Sequence, residues 1–405
     1  MPIANGLEKK VRYKRQVSFG APITGAVGGQ AVRRVTSTVD LSKDTYRSNE
    51  IRDDKQRNDF RHGSRTIGGS ISGELSVGTY ADFLETFCRQ AYQVGAATGA
   101  AITTVAITVA GNVATYTRTG GSFITDGFKL GDVGRWTGWA TVAAPQNANN
   151  FMVTSLSALA MSGIFLNGTV PVAKAAGDPV QFTLQGKKTW VPLTGHTNDC
   201  YTIEHWYSDI GQSEVFDSCR LGTMKLSLPP TGMATAEFGF VGRDMLRGVA
   251  SYFTAPAAPT TGGALAAVNG ILFVKGVQVA ILTGLSIDGN ANASTSQVVG
   301  SNTTPDVFMG AVDVSGQITA HFQDATLRDL FVDETEADIM MAFTADNTAT
   351  AGFIAFVLPR IKAGGASKDD GEKGLTLTMP FTALLGAAVG GTSLATTISV
   401  QDSSK

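Results

Sequence analysis

Cysteine is scarce in this chain: Cys88, Cys200 and Cys219 lie far apart and form no CxxC pair. An odd count without a framework excludes a disulfide scaffold and points to folding in a reducing compartment. Charge is thin as well, at 16% Asp, Glu, Lys and Arg against a usual ~25%. A surface so sparsely charged suits a protein that covers much of itself with neighbours. The net charge of −2 argues against a general nucleic-acid binder, which would be basic. No run of 18 apolar residues occurs, so no membrane-spanning helix is expected. The opening MPIANGLEKKVRYKRQ has no apolar stretch after its basic residues, so a secretory signal is not expected either and synthesis in a cytoplasm is.

What is abundant is glycine, 47 residues, alongside many Thr, Val and Ala. That composition favours short strands and turns over long helices. With 405 residues and a mass of 42.2 kDa, two or three domains are expected. Residues 1–65 hold 14 Lys/Arg and 7 Asp/Glu, whereas 91–186 hold only four basic and three acidic residues. These shifts divide the chain into three regions. Residues 1–45, with Gly20, Pro22, Gly25, Gly28 and Gly29, read as an arm or loop. Glu50 to Arg65 carries five basic and four acidic residues with only Ile51 and Phe60 apolar. It reads as a solvated loop or, more sharply, as one that ion-pairs with a neighbouring subunit. From Ile67 the chain alternates, with Ile67, Ile71, Leu75 and Val77 against Ser70, Ser72, Glu74 and Ser76, the pattern of a half-buried strand. Tyr80, Phe83, Leu84 and Phe87 follow at helical spacing, with Thr79 as the expected N-cap. Residues 101–186 read as a compact all-β unit whose first hairpin turns at Gly111-Asn112. Residues 251–266 (SYFTAPAAPTTGGALA) read as a linker.

The chain repeats itself. Shifted by 247, residues 67–84 fall on 314–331 without a gap, matching Gly69, Thr79 and Asp82 to Gly316, Thr326 and Asp329. GTMKLSLP (222–229) falls on GFIAFVLP (352–359) at a shift of 130, and 233–242 on 375–384 at 142, leaving GGASKDDGEKG as an extra polar loop. The drop from 247 to 130 places 117 additional residues between 85 and 221 of the first copy, where the charge-poor β segment lies.

Groups poised for chemistry are missing. His196, Cys200 and His205 match no common zinc spacing and would not share one face of a strand. His62 and His321 are isolated. Gly186-Lys187-Lys188-Thr189 imitates the end of a phosphate loop, but Gln181 stands where its first glycine belongs. GAVGGQ (25–30) lacks dinucleotide spacing, and the pairs Asp53-Asp54, Asp333-Glu334 and Asp369-Asp370 fall in polar loops. No GxSxG elbow occurs. No enzyme, cofactor or metal is expected.

TYRSNEIRDDKQRNDFRHGSRTIGGSISGELSVGTYADFLE (45–85), YTIEHWYSDIGQSEVFDSCRLGTMKLSLPPTGMATAEFGFVGRD (201–244) and VLPRIKAGGASKDDGEKGLTLTMPFTALL (357–385) closely resemble bacteriophage major tail tube proteins. DGFKLGDVGRWTG resembles, more weakly, the small β-domains that decorate some tubes. The resemblance implies a mainly β chain of two tail-tube-type β-sandwich modules, each with a short helix, plus an inserted small all-β domain. The divisions expected are an arm (1–45), a first module (46–94 and 191–250), an exterior inserted domain (95–190), a linker (251–266) and a second module (267–405). It further implies a virion tail subunit whose rings stack into a hollow conduit. Tubes of this kind commonly have six modules per ring, so three duplicated chains would form a trimeric ring with pseudo-sixfold symmetry. Implied partners are further copies of the chain, a tape-measure protein, double-stranded DNA in transient passage, and tail terminator and distal tail proteins. By the same resemblance Arg52, Asp53, Asp54, Arg57, Asp59 and Arg61 would form intersubunit ion pairs. The rival reading is a carbohydrate-binding adhesin or virion decoration protein, for which Trp136 and Trp139 would have to lie exposed.

Overall fold

The computed structural model describes residues 3–24, 28–99, 101–140, 146–279, 281–323, 325–369, 372, 374–387 and 389–405. Gly25, Ala26 and Val27 of the expected arm, which are the first half of GAVGGQ, Asp370 of the Asp369-Asp370 pair, and Gly371 and Lys373 of GGASKDDGEKG lie outside the described residues.

The arm is not merely a loop. Its KKVRYKR forms β1 (Lys9–Arg15), in which Val11 and Tyr13 enter the core while Arg12 faces the other way. The alternation is real but short, and the flanking charges mask it. β2 (Thr36–Ser37) and β3 (Asp40–Arg47) then lie antiparallel along β4 (Phe60–Glu74). Residues 60–65, expected in a loop, are therefore strand: pairing Arg47 with Phe60 and Thr45 with His62 satisfies the backbone without burying any charge. α1 (Ala81–Cys88) buries Phe83, Leu84 and Phe87. Tyr80, not Thr79, precedes the helix, and no side chain caps it. The Thr79 hydroxyl instead pairs with Ser76 and Thr260, because residues around 260 cross the helix entrance.

A separate six-stranded antiparallel sheet follows: β5 (Ala106–Ala110), β6 (Val113–Thr117), β7 (Val133–Thr137), β8 (Phe151–Leu156), β9 (Ala160–Phe165) and β10 (Gln181–Leu184), in the order β10-β7-β8-β9-β6-β5. Ala110 faces Val113 across the Gly111-Asn112 turn, where Gly111 takes a φ of 62°, the left-handed conformation a two-residue hairpin requires. Its core contains Trp136 stacked on Tyr116 at 4.4 Å and, close by, Trp139. Both tryptophans are buried, so neither supplies the exposed aromatic platform an adhesin would need.

The chain then re-enters the main body with β11 (Lys187–Trp190), β12 (Tyr201–Tyr207), β13 (Gln212–Leu228), β14 (Thr235–Gly242) and β15 (Asp244–Gly248). The second half supplies β16 (Gly270–Val274), β17 (Leu282–Asn290), β18 (Asp313–His321), α2 (Thr326–Val332), β19 (Ala337–Thr344), β20 (Phe353–Ala363), β21 (Ser367–Lys368), β22 (Thr376–Ala383) and β23 (Ser399–Asp402).

The two halves repeat one set of strand pairings. β1–β12, β3–β4, β4–β14, β12–β13, β13–β14 and β13–β15 have the counterparts β16–β19, β17–β18, β18–β22, β19–β20, β20–β22 and β20–β23. Registers agree too. Ile71 faces Phe238 as Ile318 faces Met379, and Ile203 faces Phe216 as Ile339 faces Leu358. Even the irregularity between Tyr201 and Ile203 recurs between Ala337 and Ile339, as expected of a bulge that shapes a strand rather than an accident.

These registers correct the repeat. β13 matches β20 at an offset of 142, since Ile203 and Ile339 are related by 136 and their partners Phe216 and Leu358 by 142. GTMKLSLP therefore does not correspond to GFIAFVLP. The two offsets differ by an even number, and a period-2 pattern cannot distinguish such shifts. The described part of GGASKDDGEKG is then the counterpart of the distal half of β13, with β21 as the short remaining strand. Offsets of 247 before the inserted sheet and 136 after it place 111 additional residues between Cys88 and Tyr201.

A continuous core fills both modules. A smaller cluster fixes the inserted sheet to the face of β19 and β20 turned away from the main core: Met152, Ile164 and Leu166 pack with Phe273, Met340, Phe353 and Val357. Hydrogen bonds from Asn150 Nδ2 to the Ala351 carbonyl (2.8 Å) and between Val133 and the Gln401 side chain (3.0 and 2.7 Å) tie the same seam.

Candidate assembly surfaces

β2/β3, β4, β14, β13, β17, β18 and β22 hydrogen-bond in that order, forming one antiparallel sheet that runs unbroken from the first module into the second. The crossing is made by the distal half of β13, whose Thr223–Leu228 pair with Asn290–Leu285 of β17. One face of this sheet is core: Ile71, Phe238, Met224, Leu226, Ile287, Ile318 and Met379 are all buried. Strand alternation sends the intervening side chains to the other face, which is uncovered.

That open face is small and polar. Ser70 and Ser72 of β4 lie beside Thr235 and Glu237 of β14, then Thr223 and Lys225 of β13, Ser286 and Asp288 of β17, and Ser315 and Gln317 of β18. Among the described residues its ionic groups include Asp40, Glu74, Glu237, Asp288 and Asp313, and Lys225, which stands 3.9 Å from Asp288. These five carboxylates and one ammonium make the face acidic although the chain is nearly neutral.

The six residues expected to ion-pair between subunits sit on the far end of the β3–β4 hairpin and its connecting loop. Within the chain Arg52 binds Asp54 and Arg61 binds Asp59, each at 2.8 Å, and Arg57 donates to the Ser48 carbonyl at 3.4 Å. Hydrogen bonding to these arginines lowers the Asp54 and Asp59 carboxyl pKa values. All six side chains are exposed, Asp53 included. Tyr46, Ile51 and Phe60 share that exposure, so the hairpin projects from the body with apolar as well as charged groups uncovered.

His205 does not join His196 and Cys200. It is buried, its Nε2 hydrogen-bonded to Ser37 Oγ at 2.8 Å, and burial pushes its pKa down to about 3. Among the described residues no three His, Cys, Asp or Glu side chains converge on a metal-sized site. The three thiols are buried, and burial raises those of Cys88 and Cys200 to about 12 and about 11, which makes them poor nucleophiles. Lys187–Trp190 of the imitation phosphate loop is β11, paired with β23. What sequence reading missed is the acidic face itself. Its residues alternate legibly along each strand, but which side is open depends on the pairing.

A family profile described as phage tail tube protein matches residues 6–383. The chain belongs to that family. No curated protein matches it. Its mainly β architecture is that of a tube protein, and membership makes it a structural component of the virion tail that assembles into a tube with copies of itself. Among the described residues no helix is long and apolar enough to cross a membrane.

Proposed function

We propose that three copies of this tail tube protein close into a ring of six modules, and that stacked rings enclose a channel lined by the acidic Ser/Thr face. The observation that carries this reading is the unbroken sheet crossing from β13 to β17 within one chain. A sheet that already joins two modules has open edges at both ends, and closure into a barrel removes such edges. The number six comes from the resemblance to tubes with six modules per ring. In this arrangement residues 46–94 and 191–250, with β1 to β3, form the first module, 267–405 form the second, and the sheet within 95–190 decorates the exterior.

The lining suits passage without retention. Phosphates are held by Lys and Arg, and here carboxylates outnumber ammonium groups. Short hydroxyl side chains offer only weak, replaceable contacts. Such a channel would contain a tape-measure protein during assembly and conduct double-stranded DNA at ejection, while terminator and distal proteins close its ends. The exposed β3–β4 hairpin, with Arg52, Asp53, Asp54, Arg57, Asp59 and Arg61, would reach the adjoining ring or subunit, exchanging its local ion pairs for intersubunit ones.

The channel lining is tested by Glu237→Lys with Asp288→Lys. The expected outcome is tubes of normal length that retain double-stranded DNA in low-salt co-sedimentation and release it as salt rises. DNA retention no greater than that of the wild type would remove the lumen from this face.

A further inference from the structure

The contact between the two modules of one chain can be read as a template for the contact between chains. Within the chain, the first module offers the distal edge of β13 and the second offers the edge of β17; Lys225 faces Asp288 and Leu226 faces Ile287. The counterpart of β13's distal half is β21: Ser367 pairs with Thr378 of β22 as Lys225 pairs with Glu237 of β14. The counterpart of β17 is the β2–β3 stretch: Asp40 faces Gly68 of β4 as Asp288 faces Ser315 of β18. Among the described residues, β21 and β2–β3 each have a strand partner on one side only.

We infer that residues 365–369 of one chain add as an antiparallel strand to residues 38–42 of the next, with Ser367 opposite Asp40 and Lys368 opposite Val39. The inference rests on the tube reading and specifies which edges meet and in what register. Main-chain hydrogen bonds between edge strands supply affinity, and the alternating faces fix the register.

A second feature of the same template supports it. Inside the chain, β23 lies against α1, Asp402 accepts the Gly78 N–H at 3.1 Å, and Lys405 binds Asp82 at 2.9 Å. β15 and α2 are the counterparts of β23 and α1, and would face each other across the chain boundary. Asp402 and Leu84 are both 0% exposed, whereas their counterparts Val249 and Phe331 are 82% and 42% exposed. Apolar side chains thus stand open on both outer surfaces at positions the internal contact covers. Among the described residues the second module shows no counterpart of β11, the strand paired to β23, and β15 pairs with β13 alone.

The test is disulfide formation in assembled protein carrying Ser367→Cys with Asp40→Cys, both exposed positions, in a chain whose native thiols are all buried. Directly opposed residues approach within disulfide reach. Mild oxidation is expected to give a covalent ladder that ends at the number of chains in one ring. Ser367→Cys with Leu41→Cys, slipped by one residue onto the opposite face, is expected to give none. In parallel, Val249→Glu is expected to leave the melting temperature of the monomer unchanged and to lower ring yield about tenfold or more. Assembled rings that form no ladder, or a slipped pair that crosslinks equally well, would overturn this register and leave the tube reading standing. Failure of the wild-type protein to form rings at all, seen by electron microscopy, would overturn the tube reading and the register with it.

Discussion

Two buried polar pairs distinguish the first module from the second. Arg12 Nη1 lies 3.1 Å from Glu204 Oε2, where the second module has Phe273 and Met340. Ser37 meets His205, where the second has Leu285 and Met341. Glu204 also accepts the backbone N–H groups of Tyr252 (2.6 Å) and Phe253 (3.4 Å), so in the first module it anchors the chain leaving β15. In the second module the same face is covered by apolar residues of the inserted sheet, and an ion pair there would lose its hydration with no compensating partners. Glu204→Met alone is expected to cost about 3–5 kcal/mol by stranding Arg12. Adding Arg12→Phe should recover part of that loss, as read from urea denaturation midpoints. His205 makes a pH prediction. Its folded pKa is depressed below the ordinary value of 6.5, so the fold holds it neutral and only the unfolded chain takes up a proton near 6.5. Its contribution is therefore complete above that pH and declines as pH falls toward 3, by at most about 1.4 kcal/mol per pH unit. His205→Met should flatten the stability profile between pH 7 and pH 5; parallel profiles would contradict this. None of these pairs was legible in the sequence, because each joins residues more than 160 positions apart.

At the scale of elements, period-2 alternation made the part of β4 from Ile67 onward legible, and the 3.6-residue spacing of Phe83, Leu84 and Phe87 made α1 legible. The Gly111-Asn112 turn announced its hairpin. Alternation fails where it carries no phase information, and this is why the sequence match of β13 at 130 lies twelve residues from the structural offset of 142. It fails again in the hairpin of β3 and β4, where both faces are solvated and no apolar period exists to read. The seam between inserted sheet and second module is also silent in sequence, since Met340 and Val357 look like ordinary core residues. Met340→Ala should destabilise the protein by about 2–5 kcal/mol, and a calorimetric scan should show whether the inserted sheet then melts separately. For the hairpin, Arg57→Glu with Arg61→Glu is expected to leave the subunit folded, with an unchanged melting temperature, and to shorten or deplete tubes in electron micrographs. Tubes of normal length and yield would remove these residues from the interface.

For the whole molecule, composition pointed to extensive coverage by neighbours, and the fold locates where that coverage is missing: two sheet edges, an exposed hairpin, and apolar side chains on β15 and α2. Net charge was a poor guide to the proposed channel lining, because a chain of net −2 places Asp40, Glu74, Glu237, Asp288 and Asp313 on one sheet face. In the proposed ring of six modules, one of every two module contacts would be intramolecular, so its sheet crossing would form with folding rather than with assembly. The most direct measurement is an electron-microscopic end view of the assembled protein. Closed rings with a central hole and three chains per turn, the inserted sheets appearing as three outer lobes, are the predicted result. Solid filaments, or monomers that never close a ring, would contradict it.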